Sequence, residues 1–131
     1  MRRAAKVWSI WEGAISKLVP DPPSQVEERF GADDFSLAFA RIENHYFVNK
    51  GFFPRDGYLL EEENLKKIRH IPTVIVQGRY DVVCPAVSAY DLHARLPQSE
   101  LMVTLAGHSG FEVENIKELV KAADKYKNKN K

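Results

Sequence analysis

The sequence predicts the α/β class: a strand-helix-strand-helix unit with parallel strands, preceded by helices. Three observations point there. Residues 73–77 (Thr-Val-Ile-Val-Gln) form a β-branched run without alternation, the pattern of a strand covered on both faces. A second short apolar run, 101–105, follows after one helix length of amphipathic sequence. Two aromatic-rich helical segments come before either strand. A parallel pair joined through a helix takes a right-handed crossover and gathers its chemistry beyond the carboxyl ends of the strands.

The elements follow in order. Over 6–18, Val7, Ile10, Trp11, Ile15 and Leu18 recur at three- and four-residue steps, one apolar stripe on a helix. Pro20-Asp21-Pro22-Pro23-Ser24 ends it. A second helix is expected over 32–49, with Asp33 or Asp34 as N-cap, Phe35, Phe39, Ile42, Tyr46 and Phe47 along it, and Gly51 as the stop. Between 57 and 70 an acidic opening (Glu61, Glu62, Glu63) and a basic close (Lys66, Lys67, Arg69) suit the dipole of a short, solvated helix. Pro85 stands near the start of a helix running to 96 with Val87, Tyr90, Leu92 and Leu96, and Pro97-Gln98 breaks it. The last helix, 115–126, places Ile116, Leu119, Val120 and Ala123 on one face. Residues 127–131 are a polar tail expected to fray.

Composition narrows the function. The 131 residues suffice for one modest domain, and 19 basic against 18 acidic residues, mixed along the chain, create no field for nucleic acid or anionic lipid. No nucleic-acid and no membrane partner is expected. The single cysteine, Cys84, and the absence of any Asn-x-Ser/Thr suit a reducing, cytoplasmic setting. Arg2 and Arg3 lead into Ala-Ala-Lys rather than the continuous apolar run of a signal peptide, and no segment approaches the roughly 20 apolar residues of a membrane span. His45, His70 and His93 lack metal-ligand spacing and one cysteine makes no thiolate cluster, so neither metal nor cofactor is predicted.

Asp81 lies just past the first strand and His108 just past the second, which brings both to one edge of the sheet. Singly, Asp81 in Gly-Arg-Tyr-Asp and His108 in Gly-His-Ser are ordinary turn and loop residues. Together, in that order, they read as an acid-base couple: an aspartate holding the Nδ1 of a histidine frees Nε2 to take a proton from a nucleophile and return it to a leaving group. The order Asp then His is that of the second half of an α/β-hydrolase.

Trp8-Ser9-Ile10-Trp11-Glu12-Gly13, Ala40-Arg41-Ile42-Glu43-Asn44-His45-Tyr46-Phe47, Gly78-Arg79-Tyr80-Asp81-Val82-Val83-Cys84-Pro85 and Gly107-His108-Ser109 resemble the C-terminal half of the proline iminopeptidases, over about residues 5–126. That resemblance implies an α/β-hydrolase with a helical cap, releasing N-terminal proline from peptides by means of a serine, an aspartate and a histidine. It implies Asp81 and His108 as catalytic residues, and Glu12 and Glu43 as the pair that binds the free amino terminus. Two carboxylates can accept both N–H groups of a protonated secondary amine and exclude blocked termini. As residues alone, Glu12 and Glu43 are equally polar positions on amphipathic helices. By the same resemblance Phe47 walls a slot for the proline ring, a position core packing explains equally well, and Cys84 lines the substrate pocket. The organisation that follows is a helical cap portion over 1–56, the C-terminal part of the hydrolase core over 57–126, and the tail over 127–131.

A nucleophile in this architecture sits on a Gly-x-Ser-x-Gly elbow ahead of the cap, and no such motif occurs here. The expected partners are peptides with a free N-terminal proline and the missing N-terminal half of the hydrolase, or a chain that complements it. Alone, the chain is expected to be inactive, with apolar surface exposed on strand 73–77. The alternatives are a non-catalytic module that binds peptide N-termini or pairs through its sheet edge, and a truncated product without function.

Overall fold

A computed structural model describes residues 1–127; residues 128–131 of the expected tail lie outside the described residues. Helix α1 (Arg2–Ile15) begins earlier than the apolar stripe suggests and buries a different face. Its buried residues are Ala5, Ser9 and Gly13, at four-residue spacing. Val7 and Trp11, from the expected stripe, are 63% and 52% exposed. The small residues win the interface because they let helix α3 (Asp33–Val48) approach closely. Ser9 donates to the carbonyl of Ser36 at 3.4 Å, and Ser36 to that of Asp33 at 3.3 Å, so both buried hydroxyls are satisfied. At Gly13 a Cβ would stand 2.5 Å from the Phe30 ring.

Phe30 closes helix α2 (Pro23–Phe30), in a stretch where the sequence suggested only a break. The same prolines that stop α1 start α2, since a proline at the first helical position gives up an N–H that has no partner there. The N-cap of α3 is Ala32 rather than Asp33 or Asp34; both aspartates sit in the first turn, at the positive end of the helix dipole. Beyond Val48 the chain makes a tight turn over Lys50–Phe52, with Gly51 at φ +62°. Phe52 shares the positive φ and is held by ring contacts to His45 and Tyr46 at 5.2 and 5.8 Å. Short helix α4 (Glu62–Leu65) follows, anchored by buried Leu65 and flanked by exposed Arg55–Glu61 and Arg69–Glu62 pairs, the solvated surface expected of it.

Strands β1 (Val74–Gly78) and β2 (Glu100–Thr104) pair in parallel, from Val74 opposite Glu100 to Gly78 opposite Thr104. Helix α5 (Val87–Arg95) connects them, α6 (Val113–Tyr126) follows β2, and both helices pack on both strands. Backbone pairing continues past the strands, Arg79 to Thr104 at 2.9 Å and Tyr80 to Ala106 at 3.0 Å, which keeps the two following loops together. Gly78 makes that approach possible, because a Cβ there would lie 1.9 Å from the carbonyl oxygen of Gly107.

Covering of the sheet is incomplete. Residues 74–77 of β1 are half-buried, not enclosed on both faces. In α6 the buried residue is Asn115, while Ile116, Leu119 and Val120 stay exposed. Among the described residues the buried apolar side chains are Ala5, Val26, Leu65, Ala89, Leu96 and Ala106, a small core for a chain of this size.

Candidate active site

Asp81 lies three residues beyond β1, where the turn folds its side chain back onto the chain. Its Oδ1 accepts the backbone N–H groups of Val83 at 3.0 Å and Cys84 at 2.7 Å, an arrangement typical of aspartate in turns. Its Oδ2 faces Nδ1 of His108 at 3.1 Å. With 7% of the Asp81 side chain exposed and 36% of His108, the carboxylate is enclosed and the imidazole is open on one side. A carboxylate only accepts, so Nδ1 carries the proton and Nε2 is left as the basic nitrogen.

The loop that carries His108 is clamped on both sides. Asn115, buried in α6, donates to the carbonyls of Gly107 at 3.2 Å and Ser109 at 2.9 Å, and its own oxygen accepts from Thr104 at the end of β2. Glu112 takes the opposite side: Oε1 accepts Gly107 N–H at 2.7 Å, and Oε2 accepts Leu18 N–H, just past α1, at 2.9 Å. Ser109 N–H adds a bond to the carbonyl of Ser16 at 2.8 Å. The end of α1 is thereby docked on the histidine loop.

That docking brings Glu12, in the last turn of α1, to the Asp81–His108 pair. The close α1–α3 packing sets Glu43 beside Glu12, and Glu43 Oε2 accepts the indole N–H of Trp8 at 2.6 Å. Burial first, then the negative charge of Glu43 and a hydrogen bond to it, push the Glu12 carboxyl up to about 6, with the nearby His108 working in the opposite direction. As Glu12 gives up its proton near that pH, its negative charge stands beside Glu43 and the two repel. Cys84 lies at the surface of the same cluster, its thiol pushed up by burial and by Asp81 and Glu12. Such a thiol is a poor nucleophile.

Asp81, His108, Glu12, Glu43 and Cys84 therefore meet. Phe47 stands apart from them: 63% exposed, its ring lines an open apolar groove of about 1000 Å³ between α1 and α3, whose walls include Trp8, Ile42 and Tyr46 but neither Glu12 nor His108. Trp8 is the link, its ring in the groove and its N–H on Glu43. Nothing in the sequence alone gives a role to Trp8 or Glu112, and Asn115 stands there only as a helix-start residue. For Asn115 a signal existed, a polar residue one turn from Leu119 within a helix; for Glu112 none did, because Leu18, the partner that ties it to α1, lies 94 residues away. Among the described residues no group of three or more His, Cys, Asp or Glu side chains could hold a metal ion, and no helix is long and apolar enough to cross a membrane.

No protein-family model matches the chain. Curated relatives do: it is 54% identical over 124 residues to a probable proline iminopeptidase of Leptolyngbya boryana, covering 94% of this chain and 37% of the relative. The chain is a partial-length homologue of the proline iminopeptidases. The Arabidopsis thaliana proline iminopeptidase is 54% identical over 125 residues, 95% of this chain and 32% of its own. That of Neisseria meningitidis serogroup B is 47% identical over 121 residues, 92% of this chain and 36% of its own. This homologue thus spans about a third of the length of the relatives it matches. Its helices, followed by two parallel strands with their helices, are consistent with the C-terminal part of an α/β-hydrolase.

Proposed function

We propose that this chain is the C-terminal portion of a proline iminopeptidase, a serine aminopeptidase that releases N-terminal proline from peptides. The observation that carries the reading is the 3.1 Å contact of Asp81 with His108 Nδ1, with Glu12, the neighbour of Glu43, close enough to His108 to feel its charge. In this reading residues 1–56 are a portion of the helical cap and 57–126 the C-terminal part of the hydrolase core. Asp81 holds the tautomer and orientation of His108, and Nε2 takes the proton of a serine hydroxyl as it attacks the scissile carbonyl, then gives it to the departing amine. Glu12 and Glu43 accept the two N–H groups of the prolyl ammonium ion, Phe47 supplies an apolar wall reached past Trp8, and Cys84 borders the pocket. An acylated proline nitrogen has neither the charge nor the N–H groups and is refused.

The 131-residue chain contains no Gly-x-Ser-x-Gly, so it is inactive alone and works with a segment or partner that supplies the serine and the oxyanion donors. The half-covered β1 and the open faces of α1 and α6 support such a partner. The unpaired Cys84 suits a cytoplasmic setting. One test uses the purified chain with a fluorogenic prolyl amide, alone and mixed with a separately expressed segment of a relative that bears the serine elbow. Silence alone and turnover on mixing are expected; turnover by the chain alone refutes the division of labour. A second reading, a non-catalytic binder of peptide N-termini, is favoured by the fact that the two carboxylates and Trp8 are already assembled within this chain. Binding of prolinamide without any complemented turnover selects it.

A further inference from the structure

We propose that Glu112 is a positioning residue that sets the spacing between the Glu12 carboxylate and the His108 imidazole. The inference rests on the reading of Glu12 as an amine anchor and His108 as a base. An enzyme that removes a single N-terminal residue must hold the ammonium group at a fixed distance from the carbonyl under attack, and misplacement of about 1 Å can cost about a hundredfold in rate. In this chain the anchor and the base sit on segments far apart in sequence, Glu12 on the last turn of α1 and His108 on the loop after β2. Whatever joins those segments sets the spacing.

Three hydrogen bonds join them: Ser109 N–H to the Ser16 carbonyl at 2.8 Å, Leu18 N–H to Glu112 Oε2 at 2.9 Å, and Gly107 N–H to Glu112 Oε1 at 2.7 Å. They catch the chain four to six residues beyond Glu12 on one side, and both neighbours of His108 on the other. Two of the three end on the same carboxylate. Contact at the junction is tight, since a Cβ on Gly107 would stand 2.8 Å from the backbone nitrogen of Leu18. Glu112 also occupies the N-cap position of α6 without its side chain capping that helix. Its charge is directed instead to the two amides of the junction, where bonds to an ionised acceptor are strongest.

The test reads the Glu12–His108 coupling directly. Glu12 is faced by Glu43 from α3, by His108 from its loop and by Cys84 beyond β1, and among these His108 pulls its titration down. Carbon-detected NMR of the full chain follows the Glu12 carboxyl through its midpoint of about 6. His108→Gln raises that midpoint in the native background. In Glu112→Ala the same change leaves it unmoved, because the loop is no longer held against α1; in Glu112→Gln, which keeps one acceptor, the shift is reduced. Loss of the coupling in a variant with a dispersed amide spectrum is the expected result. An undiminished His108→Gln shift in a folded Glu112→Ala or Glu112→Gln overturns the proposal. So does global unfolding of both variants, which makes Glu112 a residue of general stability. Failure of prolinamide to bind the native chain sinks the amine-anchor reading by itself and leaves the measured coupling standing.

Discussion

Replacing Glu12 with glutamine should stabilise the chain at neutral pH and leave it unchanged in acid. The folded state raises the Glu12 carboxyl from 4.5 to about 6, so it favours the protonated form. A group with a raised folded pKa makes the native state bind more protons than the unfolded one between those two values, and stability falls as pH climbs through that window. At 1.36 kcal/mol per pH unit the full difference is about 2 kcal/mol. Glu12 is only partly buried, and solvent screening reduces the usable amount to about 1 kcal/mol. Glutamine has the shape of the protonated acid and can still hydrogen-bond Glu43, but it never ionises. Urea unfolding of both proteins from about pH 4 to about pH 7.5 isolates the effect, because every other titrating group is common to the two. With a slope of about 2 kcal/mol/M, the Glu12→Gln midpoint should lie about 0.5 M above that of the native chain at the upper end and coincide with it at the lower. A difference that does not change with pH, or a variant less stable at neutral pH, refutes the carboxylate-pair electrostatics on which the candidate site depends.

Prolinamide should bind more tightly as pH rises through about 6, since Glu12 must give up its proton before both carboxylates can accept from the ammonium ion. Glu43→Gln should weaken it about tenfold, ~1.4 kcal/mol, and N-acetylprolinamide should give no heat; calorimetry checks all three, and equal heats from the two ligands count against amine recognition. Asp81→Ala strands the Val83 and Cys84 amides and His108 Nδ1–H, at a cost of about 2 kcal/mol in chemical denaturation; Asp81→Asn keeps an acceptor for the two amides and should cost less. Gly78→Ala forces a Cβ into the Gly107 and Ala106 carbonyls and should cost about 3 kcal/mol, whereas Gly57→Ala, in open space at φ +75°, should cost about 1. Thermal unfolding of the pair separates steric exclusion from backbone preference.

The local order of the chain was legible because it follows from near-neighbour chemistry. The β-branched run before Gln77, the prolines and glycines between segments, and the three-to-four spacing of apolar residues locate both strands and most of the helices within a few residues. The parallel pairing and the approach of Asp81 to His108 were also within reach, since chain order and sheet edge restrict where such loops can go. The prolines at 20–23 mark a stop but not the helix that follows, because the same residue type ends one helix and begins the next and periodicity over eight residues is too short to tell.

Which faces are buried was decided by tertiary structure alone. Periodicity marks the large apolar stripes of α1 and α6, yet Ala5, Ser9 and Gly13 on one helix and Asn115 on the other are the buried residues. Burial depends on what stands opposite, and small side chains are what allow α3 to come near enough for Glu43 to reach Glu12. The sequence on its own was sufficient for the order of elements, the residue types of the candidate site and the family resemblance. Tertiary structure supplied the raised Glu12 carboxyl, the Trp8 contact and the Glu112 brace, because a charge is shifted and a hydrogen bond closed only by groups that distant parts of the chain bring within a few ångströms.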